Sequence, residues 1–262
     1  MDQRHLHLAI HDLSLHFGGV QALHQVHLEV PRGILFSLIG PNGAGKTSLI
    51  NCISKFYEPN VGKIIFNGRE ITRFRPHEVA RFGISRTFQN IELFKGMTVL
   101  ENIKLGSHIH LRTGALAGMF YLGKAQKEEE KLEEFLGREI LDFLGLTPIK
   151  NRVVATLPYG LQKRVDLARA LAAKPEFLIL DEPVAGMNRE ETGDMITHIL
   201  EIKKAWGLTV LLIEHDMEVV MNISDWIVVM NFGEKIAEGT PAVVQKNPEV
   251  IRIYLGHSYA ET

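Results

Sequence analysis

Gly40-Pro41-Asn42-Gly43-Ala44-Gly45-Lys46-Thr47 decides how the rest of this 262-residue chain is read. It fits the phosphate-loop spacing G-x-x-x-x-G-K-[ST] without a substitution. Before it, Ile34-Leu35-Phe36-Ser37-Leu38-Ile39 is a short apolar run suited to a buried strand; after it, Ser48-Leu49-Ile50-Asn51-Cys52-Ile53 can open a helix. The glycines let the backbone turn successive N–H groups toward phosphate oxygens, and the following helix adds its positive end. Lys46 supplies a point charge to the outer phosphates, and the Thr47 hydroxyl is placed to ligate Mg2+. A glycine-rich turn with a surface lysine is the plainer reading, and the strand–loop–helix context argues against it. The stretch predicts a nucleoside triphosphate site.

A second constellation completes the chemistry. Phe177-Leu178-Ile179-Leu180-Asp181-Glu182-Pro183 is an apolar strand ending in two carboxylates. Hard cations prefer oxygen ligands, so Asp181 at a strand end beside the loop would hold Mg2+ through water. Glu182, one residue on, would face an attacking water and orient or deprotonate it. Alone, the same residues would read as an acidic strand end before a turn proline. Their weight comes from standing with residues 40–47.

Composition sets the frame. Hydrophobic residues make up 45 % and charged residues 23 %, with a formal net charge of −2, ordinary for a globular protein. That balance argues against a nucleic-acid binder working through bulk charge. The 12 histidines, among them His5, His7, His11, His16, His24 and His27, lack metal-ligand spacing and read as exposed or capping side chains. Cys52, the one cysteine, excludes an intramolecular disulfide and reads as a small buried hydrophobe, compatible with a reducing compartment. No apolar run approaches the ~18 residues of a membrane span, and Met1–His5 has no signal-peptide core.

The first thirty residues alternate through Leu6, Leu8, Ile10, Leu13 and Leu15, then Val26, Leu28 and Val30, predicting antiparallel strands with one wet face. Ile64-Ile65-Phe66 runs into the turn signal Asn67-Gly68. Residues 126–144 carry Leu132, Phe135, Leu136, Ile140, Phe143 and Leu144 on one face of an amphipathic helix, with Lys127–Lys131 as a solvated charge cluster. Thr113–Gly118 reads as a loop. Strand candidates Phe177–Leu180, Leu208–Ile213 and Trp226–Met230 alternate with helical stretches, one marked by Met195, Ile196, Ile199 and Leu200. The fold class is therefore α/β, with a parallel core sheet carrying the loop and an N-terminal antiparallel region. As one domain over 1–262, the expected parts are a core of 1–89 and 163–240, a helical lobe of about 90–162 and a C-terminal helical tail of 241–262.

Phe17, the 40–47 loop, Gln89, Leu157–Val165, Asp181-Glu182 and His215 stand in the order and spacing of ATP-binding-cassette (ABC) ATPases, a resemblance covering nearly the whole chain. It implies an ABC-type nucleotide-binding domain with ATP and Mg2+ as cofactors. Phe17 resembles the aromatic on which adenine stacks. Gln89 resembles the glutamine that contacts metal and water while sensing a membrane subunit, and His215 the switch histidine at the γ-phosphate. The family's L-S-G-G-Q segment, which reaches across a dimer to the partner's ATP, is matched by Leu157-Pro158-Tyr159-Gly160-Leu161-Gln162, with departures at Pro158, Tyr159 and Leu161. Proline is tolerated at a first helical position, and Gly160 with the helix N-terminus keeps anion recognition in outline. Tyr159 is bulky enough to hold the segment back from the phosphate. The same resemblance implies that Gly186 and Asn188 fall in the loop that would face the dimer.

Tyr159 before Gly160, Glu182–Asn188, Ile213–Met217 and the ending Glu238-Gly239-Thr240-Pro241 to Tyr254-Leu255-Gly256 are similar to LivG-type ATPases of branched-chain amino acid importers. This implies a second ABC ATPase subunit as partner, either the same chain or a paralogue. It also implies integral membrane permease subunits, an indirect link to a solute-binding protein, and a place on the cytoplasmic face of the membrane. No nucleic-acid partner is expected. Two other classes are a soluble ABC ATPase acting on ribosomes or DNA, and a non-hydrolytic nucleotide-gated module. The first commonly carries two cassettes or a coiled-coil insertion, neither visible here, and Glu182 argues against the second.

Overall fold

In the N-terminal strands the apolar positions change parity, from Leu8 and Ile10 to Leu13 and Leu15, and a strand keeps both sets on one face only by adding a residue. The computed structural model, which describes residues 6–110 and 132–258, does this with bulges. β1 (Leu6–Phe17) and β2 (Val20–Pro31) pair antiparallel, with Asp12 and Gln25 at φ 50° and 46° where the register shifts. β4 (Val61–Phe66) joins β1, and Asn67-Gly68, both at positive φ, turns the chain into β5 (Arg69–Glu70). The order in this sheet is β2-β1-β4-β5.

β3 (Leu35–Ile39), β7 (Phe177–Asp181) and β8 (Thr209–Ile213) are buried at every residue. Continuous apolar runs of this kind belong to a parallel sheet covered on both faces. β3 pairs in parallel with β8 and with β9 (Trp226–Asn231), and β7 with β8. β10 (Glu234–Gly239) is an antiparallel edge on β9, and β6 (Ile84–Arg86) closes the other end of the order β10-β9-β3-β8-β7-β6. The main core joins Leu8, Ile10, Val26 and Leu28 of the first sheet to Phe36, Leu38, Phe177 and Ile179 of the second, with Leu49, Ile50 and Cys52 from the helix Lys46–Ile53. Burial pushes the Cys52 thiol up to about 11, which keeps it inert. A second core lies under Met217–Ile223, Pro241–Val244 and Pro248–Ser258, around Ile39, Ile227 and Val229.

Two compact units emerge: residues 1–84, 176–182 and 202–262, and residues 85–175 and 183–201. The second is broader than the expected 90–162 lobe because it includes the helix Tyr159–Ala172 and the 183–201 stretch, joined by Arg164 facing Asp194 at 3.4 Å. The amphipathic segment is helical from 132, with π winding over Leu136–Asp142, so Leu136 and Leu141 are buried together and Phe143 is only half-buried. On the helix Arg189–Trp206, Met195, Ile199 and Ile202 are buried, whereas Leu200 is exposed. Thr113–Gly118 and Lys127–Lys131 lie outside the described residues.

One expectation fails at the start of β1, where both faces are covered. His7 is buried, not exposed: its ring stacks on Phe66 at 4.8 Å and meets the edge of Phe177, and Nδ1 lies 2.5 Å from the Thr209 hydroxyl.

Candidate nucleotide site

In a parallel sheet the crevice for a ligand opens at the carboxyl ends of the strands. β3 ends at Ile39 and releases the loop Gly40–Thr47 there; Asp181 at the end of β7, Glu182 just after it and His215 after β8 emerge at the same edge. Gly40 sits at φ 149°, and a Cβ on it would lie 2.2 Å from the Met230 carbonyl oxygen, so only glycine fits. Its N–H also donates to the phenol oxygen of Tyr254 in the last helix, where burial nonetheless pushes that phenol up to about 12. Ala44 N–H donates to the Pro41 carbonyl at 3.2 Å, while the Ala44 carbonyl accepts from Gly233 N–H in the β9–β10 turn at 3.0 Å. Gly45 is the N-cap of the helix Lys46–Ile53 and brings no capping side chain, so the first-turn N–H groups suit an anion. Asn42, Gly43 and Thr47 are exposed on the loop's outer side.

Lys46 is buried and donates to the Gly40 and Pro41 carbonyls at 2.6 and 3.0 Å, which aims its ammonium back along the loop. Burial lowers its pKa, and the carboxylates of Glu182 and Asp181 act in the opposite sense. Glu182 adopts φ 50°, uncommon for a residue with a side chain, and its N–H donates to the Ile213 carbonyl at 2.9 Å. Its Oε1 lies 2.7 Å from Nε2 of His215. A carboxylate so held has one oxygen oriented by imidazole and can take a proton from a water with the other. Asp181 is buried at the end of β7. The Thr47 hydroxyl and the Asp181 carboxylate are oxygen donors, which fits a hard divalent ion that keeps several of its waters. Phe17 ends β1 with its ring 46 % exposed, supported edge-on by Tyr57 at 5.0 Å, and can offer a flat face to a base.

The remaining expected residues belong to the second unit. Gln89 has an exposed side chain, and its carbonyl accepts from Lys163 Nζ at 3.1 Å. Pro158 is the N-cap of the helix Tyr159–Ala172, not its first residue, so no cap oxygen is supplied there. Leu157 and Gly160 are buried and Leu161 is half-buried; the Gln162 side chain turns inward to the Leu157 carbonyl at 2.8 Å. The Tyr159 ring rests on Gly186, where φ is 78° and a Cβ would stand 3.2 Å from Cε1 of the ring. Asn188 caps the helix Arg189–Trp206, its Oδ1 accepting from the Glu190 and Glu191 N–H groups at 3.0 Å. Sequence reasoning missed Lys163, Asp166 and Arg169, whose signal was charge repeated every third residue along the helix, blurred by Gln162 and Arg164 beside them.

Residues 23–185 match the ABC transporter family, and residues 234–260 match the branched-chain amino acid ATP-binding cassette transporter family. The chain belongs to the ATP-binding proteins of ABC transporters and is an ATPase. It is 44 % identical over 251 residues to the high-affinity branched-chain amino acid transport ATP-binding protein BraF of Pseudomonas aeruginosa, covering 96 % of this chain and 98 % of that one. It is 42 % identical over 253 residues to the corresponding LivG protein of Escherichia coli, with the same coverage. Among solved structures, the ADP conformation of the cassette MJ1267 aligns with a TM-score of 0.82 and 37 % identity, over 96 % of this chain and 99 % of that one. Among the described residues no helix is long and apolar enough to cross a membrane.

Proposed function

We propose that this chain is the ATP-hydrolysing, Mg2+-dependent subunit of a membrane importer for branched-chain or related amino acids. The observation that carries the hydrolytic reading is the Glu182–His215 contact beside the glycine loop. The loop N–H groups and Lys46 hold the phosphates, and Phe17 stacks on the adenine. Thr47, Gln89 and, through water, Asp181 would hold Mg2+, which neutralises charge on the outer phosphate oxygens. Glu182 takes the proton of the attacking water while His215 orients it and meets the γ-phosphate.

Each chain carries one phosphate loop and one Leu157–Gln162 segment, so a composite site needs two cassettes, a homodimer or a pair with a related ATPase. Gly186 and Asn188 face that dimer, ATP closes it and hydrolysis reopens it. The pair acts on permease subunits at the cytoplasmic face, and a solute-binding protein delivers the cargo to them. The cargo class is supported by BraF and LivG, which are branched-chain amino acid transport ATP-binding proteins. Reconstitution with the permease subunits and solute-binding protein, followed by ATP-driven uptake of labelled leucine, isoleucine and valine, tests this. ATP turnover stimulated by ribosomes or DNA, with no membrane partner co-purifying, would overturn it.

A further inference from the structure

The stretch Thr87–Phe94 has no helix or strand of its own, so something else must satisfy its backbone. Asn102 holds both backbone groups of Phe94, and over Phe88–Glu92 three side chains from one flank of the helix Tyr159–Ala172 contribute. Asp166 accepts from the Phe88 N–H, Lys163 donates to the Gln89 carbonyl at 3.1 Å, and Arg169 donates to the Glu92 carbonyl. Arg169 also pairs with Asp166 at 2.6 Å. Lys163 and Asp166 are only 4 % and 1 % exposed, so these are desolvated charges held by specific partners, not a solvated face. The Lys163 ammonium also lies 5.9 Å from the centre of the Tyr159 ring, and that ring rests on Gly186.

We propose that Lys163, Asp166 and Arg169 are positioning residues that clamp the Phe88–Glu92 backbone to this helix, so that Gln89 and the Tyr159-Gly160 segment move as one piece. The inference rests on the reading of Gln89 as a residue that meets metal and water. Displacing Gln89 would then impair the chemical step without weakening nucleotide binding.

The test is a double-mutant cycle in the full chain, reading ATP turnover together with amide hydrogen exchange. Lys163→Met keeps the apolar stem and removes the ammonium. It should speed exchange across 88–92 about tenfold while leaving β3 and β8 unchanged. Turnover should fall by up to about 10²-fold with KM for ATP within about twofold, since a small misplacement acts on kcat alone. Lys163→Arg should restore most of both. Gln89→Ala combined with Lys163→Met should be no slower than Gln89→Ala alone. If the methionine variant does not fold, Lys163→Gln carries the same expectations. Unchanged turnover in Gln89→Ala overturns the reading of Gln89 and the functional half of this inference. A normal Gln89→Ala loss with unaltered exchange at 88–92, or with losses that multiply, overturns the clamp alone.

Discussion

Glu182 and His215 touch at 2.7 Å because they leave neighbouring parallel strands one and two residues past the rung that pairs Asp181 with Ile213. The Glu182 N–H continues that ladder onto the Ile213 carbonyl, so the backbone carrying the carboxylate is fixed by the sheet. The left-handed φ at Glu182 then aims the side chain at the imidazole.

Glu182→Gln preserves this shape and its contact with His215 while removing the negative charge. Turnover should fall by ~10²–10⁴, the usual contribution of a positioned general base, with ATP still bound. Phosphate release and equilibrium nucleotide binding, measured on the same preparation, decide it. Equal turnover for both proteins would sink the assignment.

Lys46→Ala should act on binding. The ammonium anchored on the Gly40 and Pro41 carbonyls is the charge nearest the glycine loop, and a charge-assisted bond to phosphate is worth at least about 1.4 kcal/mol, or tenfold in Kd. Titration with a fluorescent nucleotide reads the shift directly.

Pro158→Ser would place a hydroxyl at the N-cap of the helix Tyr159–Ala172. A serine cap contributes about 1 kcal/mol, and the lost ring restriction costs about 0.4–1 kcal/mol, so the two nearly cancel. Stability and ATP-dependent association should both change little. Tyr159→Gly, which empties the space over Gly186, should change association more. A large gain from Pro158→Ser alone would contradict this ordering.

His7 gives the fold an acid limit. Burial, with a smaller push from Arg32, lowers its pKa from 6.5 to about 4 despite the nearby Glu176. The unfolded chain therefore binds this proton first, and the stability His7 confers, complete above pH 6.5, is lost as pH falls toward 4. At about 1.4 kcal/mol per tenfold difference in proton affinity, the loss is on the order of 3 kcal/mol. Urea midpoints at pH 7.5 and 5 should differ less in His7→Phe than in the natural chain.

The residues 40–47, Asp181, Glu182 and His215 were legible because each sits at the end of an apolar strand, where local pattern and chemistry coincide. His7 was not, because alternation along β1 assigns it to solvent, and only Phe66, Phe177 and Thr209 from other strands enclose it. The Lys163–Asp166–Arg169 clamp was hidden for a related reason: its partners are backbone groups, which leave no mark in a sequence. The bulges at Asp12 and Gln25 were recoverable in principle, since the parity change from Ile10 to Leu13 demands one.

β3 is hydrogen-bonded to β8 and β9, and β8 in turn to β7, so the glycine loop, Glu182 and His215 hang from one set of rungs. Losing those rungs would free all three at once. Melting of this sheet should therefore release all three together, so nucleotide affinity is expected to disappear no later than the sheet's thermal transition, a coincidence that ellipticity and nucleotide titration on one sample would read.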